Sequence, residues 1–490
     1  MVNHGASAAC QNCKRRKVKC DETRPACLRC LKIGKKCPGY LDEWDLAFRS
    51  ENEVVKAKVL YQQSTPSRQW SSNRSTKDVS RWGTSSSLSK VGIESSSMLP
   101  DDLHEQAIRL FFQDYIIESC GLCPGYLNYL PRLYSQSTDS SLLTVAVLAA
   151  SYANMAQKMN RHDITIKAMS HYRKALRDVS TILAENKEPA SDTTMTSIML
   201  LGLYECINTT ISETEAMQHT QGLVVLLDIR LAVLAEGPSL LQIVCCQTQR
   251  RNLDLRILPR HSHTRLVSFP DMTQPANQMC LNMQHVSIWV AEVNSVILAG
   301  HEQASYRDLL CEFSVLEKEL CDWNEAAFVS MGYQRVQSED DSASFKHDNY
   351  PGFWTLSIWN KHRATRILLH QLLLELFQAV GKIQKLGDID MRDFEEQELA
   401  SRATIQEMTE DILSSAPFAL GEMSVPPKSI GGYFLVWSLQ TILRCSFVSH
   451  EQRHEARAVL EKVGRQCGIK CATMIAKSSQ QYDLYKKGTA

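Results

Sequence analysis

Six cysteines stand within the first 37 residues: Cys10, Cys13, Cys20, Cys27, Cys30 and Cys37. A unit of two and then six intervening residues occurs twice, as Cys10-Cys13-Cys20 and as Cys27-Cys30-Cys37. Two intervening residues let a pair of thiolates grip one metal ion from a tight turn at a helix start. Six more make nearly two helical turns and bring the third thiolate back to the same ion. Three ligands leave each tetrahedral zinc one short. Sharing one thiolate from each half makes up the deficit, so six cysteines complete two zinc ions. Cys10 and Cys27, the first of each half, are the expected bridging pair. A disulfide framework would need an oxidising compartment. No secretory signal opens the chain, since a cysteine-rich basic stretch follows Val2 to Ala9 where an apolar segment should be.

What surrounds the metal is cationic. Lys14, Arg15, Arg16, Lys17 and Lys19 fill the interval between Cys13 and Cys20. On a short helix pinned at both ends by zinc, thiolates and Val18 take the inward face and the cations point outward. Such a helix end suits the DNA major groove, where Lys or Arg donates to O6 and N7 of guanine. Flanking cations neutralise phosphates and set register. Lys32, Lys35 and Lys36 in the less basic second half are expected to contact phosphate. The same run of cations also serves as a nuclear-import signal. Residues 1–40 hold ten basic residues against Asp21 and Glu22, a net +8, and the remainder of this neutral chain carries −8. Six thiolates and two zinc ions sum to −2, which leaves the head near +6.

The stretch from Cys10 to Cys37 resembles the binuclear zinc cluster of fungal transcription factors. The cysteine spacing, the run Arg16-Lys17-Val18-Lys19-Cys20-Asp21 and Arg24-Pro25-Ala26-Cys27 carry the likeness. The resemblance implies two zinc ions bridged by Cys10 and Cys27, a proline loop at Pro25, and base contact from Arg16 and Lys17. It implies a nuclear regulator of RNA polymerase II transcription that reads CGG-like triplets in double-stranded DNA, alone or as a homodimer set by a dimerisation helix. A metabolic or secondary-metabolite gene set is the target class it suggests, and the transcriptional machinery the further partner. The body resembles the fungal-specific regulatory domain through His219-Thr220-Gln221-Gly222-Leu223 and Gly431-Gly432-Tyr433-Phe434-Leu435-Val436-Trp437-Ser438-Leu439.

These motifs need elements to hold them, and the texture of the chain divides accordingly. Residues 1–9 read as a flexible N-terminus and 10–40 as the zinc cluster domain, two short helices around the metals. Over 41–63, Trp44, Phe48, Val55 and Val59 recur at spacings of 4, 7 and 4, a short dimerisation helix broken at Glu51. Residues 64–98 are a linker, since Ser64 to Ser97 holds 13 serines in 34 residues with Pro66, Gly83 and Gly92. From 99 to 490, apolar residues at helical spacing over Leu103–Ile117, Met195–Ile207, Met217–Leu234, Phe353–Ile383 and Tyr433–Phe447 predict a large all-α domain. Gln337 to Gly352 reads as a polar break, and Val425-Pro426-Pro427 with Gly431-Gly432 as another. Leu223 to Ala235, the most apolar run, is interrupted by Asp228 and Arg230, so no membrane span is expected.

Other candidate chemistry is sparse. Cys120 and Cys123, Cys245 and Cys246, and Cys467 and Cys471 read as buried helical cysteines. HExxH, P-loop and GxGxxG patterns are missing, and His104-Glu105, His301-Glu302 and His454-Glu455 lack a second histidine. An enzyme with a zinc-bearing appendage is therefore the least expected reading. Ser338-Glu339-Asp340-Asp341, with Phe345, Tyr350, Phe353 and Trp354 after it, reads as a solvated loop before a long helix. A second reading makes the body a sensor of a sterol or metabolite, although no residue of the sequence identifies a pocket for such an effector.

Overall fold

In the computed structural model, the described residues are 12–13, 16, 18, 20–21, 27–33, 37, 100–185, 191–208, 237–257, 271–299, 306–337, 346–381, 391–422 and 427–488. The chain divides into two compact units, Met1–Glu94 and Ser95–Ala490. The dimerisation stripe at 41–63 and the serine-rich linker at 64–98 lie outside the described residues, as does the apolar segment Met217–Leu234.

The first unit is held by thiols. Its described helix is α1 (Leu28–Lys32), preceded by a helical turn at Asn12 and Cys13. Cys13, Cys20, Cys27 and Cys30 are its buried residues, with Val18 and Cys37 packed against them. So few apolar side chains cannot offset the conformational entropy of ordering such a segment. The fold depends on what the sulfurs bind.

The second unit is helical, in agreement with the periodicity of its sequence. Its elements are α2 (Pro100–Tyr115), α3 (Leu130–Ser135), α4 (Leu142–Met159), α5 (His162–Glu185), α6 (Asp192–Asn208), α7 (Gly237–Leu255), α8 (Pro275–Ala299) and α9 (Tyr306–Met331). A small ribbon follows, β1 (Gln334–Gln337) antiparallel to β2 (Lys346–Asn349), with Gln334 opposite Asn349. The chain continues through α10 (Phe353–Gly381), α11 (Met391–Ser414), α12 (Ala416–Ala419), α13 (Ser429–Arg444), α14 (His450–Gln466) and α15 (Lys470–Gly488). Among the described residues, no helix is long and apolar enough to cross a membrane.

Two helices organise the core. α4 is capped by Ser141, whose hydroxyl accepts from the Thr144 amide, and ends at Asn160 in the left-handed region. It is buried all round from Leu143 to Ala156, and its alanines let α2, α5 and α6 approach closely. α10 spans roughly 44 Å at 1.5 Å per residue and is enclosed by α8, α9, α11 and α13. Gly431 and Gly432, expected to break the chain, instead lie inside the first turns of α13. A β-carbon at Gly431 would sit 2.1 Å from the Ala419 carbonyl oxygen, and one at Gly432 would sit 2.5 Å from the Cys467 sulfur. These glycines serve close packing, not a turn.

The polar interval before α10 also departs from expectation. It forms the β1–β2 ribbon, and Tyr350, Phe353 and Trp354 are core residues. Ser338 to Asp341 and Phe345 lie outside the described residues. The ribbon carries Asp348 into a buried ionic network. Asp348 accepts from Arg335 Nε at 2.9 Å and from the Tyr350 hydroxyl at 3.2 Å, and lies 3.5 Å from Arg363 Nη2. Asp348 and Arg363 have side-chain exposures of 0% and 1%.

One turn away, His362 stacks on Trp323 with ring centroids 4.8 Å apart and places Nε2 3.0 Å from the Leu320 carbonyl. Burial, with Arg366 and Arg363 nearby, holds its pKa down to about 3. The neutral ring therefore donates to Leu320. The unfolded chain takes up this proton near pH 6.5, whereas the folded chain does so only near pH 3, so stability falls between those values as pH drops. Burial would raise Glu317, but His370 and Arg366 carry it down to about 2, so its own contribution is lost only below about pH 4.5. Between pH 5 and 6.5, His362→Gln is expected to lower the pH slope of the unfolding free energy by up to about 1.4 kcal/mol per pH unit. Denaturant titrations across that range give the slope, and an unchanged slope would show that His362 titrates normally.

Candidate metal centre and nucleic-acid interface

The first unit brings the cysteines together as two overlapping groups. The sulfurs of Cys13, Cys20 and Cys27 lie within 4.8 Å of one another, and so do those of Cys27, Cys30 and Cys37. Cys27 belongs to both groups. A tetrahedron of 2.3 Å zinc–thiolate bonds has edges of about 3.8 Å. The Cys13–Cys27 sulfur separation is 3.8 Å. That is a metal-sharing distance, far beyond the roughly 2.05 Å of a disulfide. Donor chemistry and geometry both fit zinc. Cys10 lies outside the described residues, so the second bridging position remains an expectation of the spacing.

Local backbone explains how the groups are presented. The Val18 amide donates to the Cys13 carbonyl at 3.1 Å and the Arg16 amide to the Asn12 carbonyl at 3.2 Å, which closes the turn beneath the first thiolates. In the second half the Cys30 amide donates to the Cys27 sulfur at 3.3 Å, a contact that favours the thiolate over the thiol. Asp21 accepts from the Leu28 and Arg29 amides at 2.9 and 3.2 Å. It thereby satisfies the open N-terminus of α1 and ties the two halves together. Sequence reasoning counted Asp21 only as an acid, because a cap seven residues from the amide it binds leaves no local signal.

Of the expected DNA contacts, Arg16 and Lys32 are described, and both are exposed. Val18 is half-buried against the sulfurs, as an inward-facing residue should be. Lys14, Arg15, Lys17, Lys19, Lys35, Lys36 and the loop residue Pro25 lie outside the described residues. The remaining thiols form no such group. Cys245, Cys246 and Cys467 are buried in the helical unit, and Cys471 is half-buried in α15. Cys120 and Cys123 correct the expectation for that pair. They face each other across a tight turn, each amide bonded to the other's carbonyl at 2.9 Å, with Gly121 at φ +55°; Cys120 is exposed.

Comparison with known proteins adds two matched regions. Residues 8–43 match the fungal Zn(2)-Cys(6) binuclear cluster domain, and residues 110–246 match the fungal specific transcription factor domain. The chain is 23% identical over 424 residues to the transcription factor dbaG of Emericella nidulans, covering 79% of this chain and 94% of that protein. Two further similarities are confined to short stretches. One is to the transcriptional regulatory protein moc3 of Schizosaccharomyces pombe, 55% identical over 31 residues, 6% of each chain. The other is to the oleate activated transcription factor 3 of Kluyveromyces lactis, 50% identical over 58 residues, 12% of this chain and 8% of that protein. No solved structure matches.

Proposed function

We propose, from the premise that this chain is a fungal transcription factor of the binuclear zinc cluster kind, that it reads CGG-like triplets in the major groove and regulates a metabolic or secondary-metabolite gene set in the nucleus. The observation that carries the reading is the pair of sulfur groups sharing Cys27. A shared thiolate and a shared cap at Asp21 make the two halves one rigid unit. A rigid unit fixes where its exposed cations point, and base readout requires that fixity.

Within this reading, residues 10–40 form the DNA-binding domain, with Cys10, Cys13, Cys20, Cys27, Cys30 and Cys37 as ligands. Arg16 and Lys17 face bases, while Lys14, Arg15, Lys19, Lys32, Lys35 and Lys36 face phosphates. The stretch 41–63 supplies any homodimer contact, 64–98 gives the head reach, and 99–490 governs output through the transcriptional machinery. No catalytic role is proposed.

Lys17→Ala tests the assignment of the basic run. Losing a base contact is expected to weaken specific binding by about 1–3 kcal/mol and relax preference at one position. Losing a phosphate contact would instead weaken all sequences alike and lower the salt dependence by about one contact. Fluorescence anisotropy against matched and single-substituted duplexes at several salt concentrations separates the two. An unchanged sequence preference removes Lys17 from base reading.

A further inference from the structure

The helical unit contains a recess that neither the zinc chemistry nor the DNA reading uses. It lies between α7, α8, α10 and α13 beside the turn at Gly125 and Tyr126, with about 700 Å³ of unfilled space including its mouth. Its walls are aromatic: Tyr126, Trp354, Tyr433, Phe434 and Trp437. Two cations, Arg250 of α7 and Lys361 of α10, also line it, and no lining residue is acidic. Among the described residues, neither Arg250 nor Lys361 has a carboxylate within ion-pair distance. The nearby Asp254 is bonded to Trp437 Nε1 at 2.9 Å and approached by Arg444 at 3.9 Å.

Two cations without counter-ions are costly on an apolar wall, and an anion seated between them removes that cost. The wall's own ionisable thiol already responds to this setting. A hydrogen bond from Cys280, 2.9 Å away, and the nearby Lys361 ammonium hold the Cys246 thiol down to about 6 despite its burial. The five aromatic walls specify the rest of a ligand, because flat rings stack or pack edge-on against such faces. Polar groups are few: Gln242, Gln247, Ser357 and Ser438. Mostly aromatic walls with a few convergent polar and charged groups are what small-molecule sites require.

We propose that this recess binds a small organic anion with a flat ring system, an aromatic carboxylate, whose carboxylate pairs with Lys361 and Arg250. The recess would give the regulatory body a ligand-dependent state, so the inference rests on the reading of that body as the controlling part of a DNA-binding regulator. Ligand entry adds contacts to four helices distant in sequence, which stabilises their mutual packing by mass action.

The test uses zinc-loaded full-length protein without DNA, so that failure of the pocket and failure of the DNA reading are told apart. 1-Naphthoate is titrated by calorimetry, with neutral 1-naphthamide of the same shape alongside. The expected result is saturable one-to-one binding of the acid, with the amide weaker by about tenfold or more, as for loss of a charge-assisted contact. Lys361→Met and Arg250→Met should each weaken the acid by a similar factor and leave the amide unaffected. Gln247→Trp, which fills the recess without removing a cation, should abolish both. Equal binding of acid and amide, an unchanged affinity in Lys361→Met, or no binding of the acid would each overturn the proposal.

Discussion

Replacing Cys27 with alanine is expected to strip the head of both zinc ions, not one. Its sulfur is the one common to the two described groups, Cys13-Cys20-Cys27 and Cys27-Cys30-Cys37. Its loss therefore leaves each ion short of a ligand and opens the 3.8 Å edge that Cys13 shares with it. Structural zinc contributes an apparent 10–16 kcal/mol at neutral pH in segments with little core of their own, roughly the whole folding free energy. Only four buried thiols and a half-buried Val18 pack this unit, so nothing remains to order the basic run once the metal leaves. Cys30→Ala, which removes a sulfur from the second group alone, is expected to retain up to one ion. Native mass spectrometry counts the ions directly. A Cys27→Ala protein that still holds one zinc tightly would contradict the shared-thiolate geometry.

In the helical unit the largest single loss of stability is expected from Asp348→Ala. The carboxylate is fully buried and takes Arg335, Arg363 and the Tyr350 hydroxyl on its two oxygens. Removing it leaves the Arg363 guanidinium, itself 1% exposed, with Asp411 at 3.6 Å as its closest remaining carboxylate. Breaking a buried pair on one side costs about 3–5 kcal/mol, because the surviving charge stays desolvated. A domain of ordinary stability holds about 5–15 kcal/mol in all, so the variant should sit near its unfolding threshold. Asp348→Asn keeps the shape and one acceptor and should lose less. Chemical denaturation measures the difference, and a loss under about 1 kcal/mol in Asp348→Ala would show that the network is solvated and loosely held.

The metal centre was legible in the chain because its information is local. Gaps of two and six residues set which thiolates meet, and residues between Cys13 and Cys20 must lie on the face that the thiolates leave free. The helical class was legible for the same reason, since a 3.6-residue period appears in Leu103–Ile117 and Phe353–Ile383 wherever one face packs. What escaped is tertiary. Asp348 and Arg363 are fifteen residues apart on different elements, and neither residue type nor spacing says that they are buried together. Arg250 and Lys361 meet only because α7 and α10 both line one recess. Gly431 and Gly432 suggested a break because glycine is a helix breaker by propensity. Close approach of the Ala419 carbonyl and Cys467 overrides that propensity. Cys120 and Cys123 were expected in a helix, but Gly121 at positive φ turns the chain there instead.

The central claim is that a rigid two-zinc head reads DNA sequence. The most direct measurement is selection from a random duplex pool by the zinc-loaded full chain, with Cys27→Ala run in parallel. The account predicts enrichment of CGG-like triplets that vanishes in the variant. Recurrence of a second triplet at a fixed distance would further show paired half-sites. If a protein holding two zinc ions enriches no sequence over the variant, the head is not a sequence reader and the account fails.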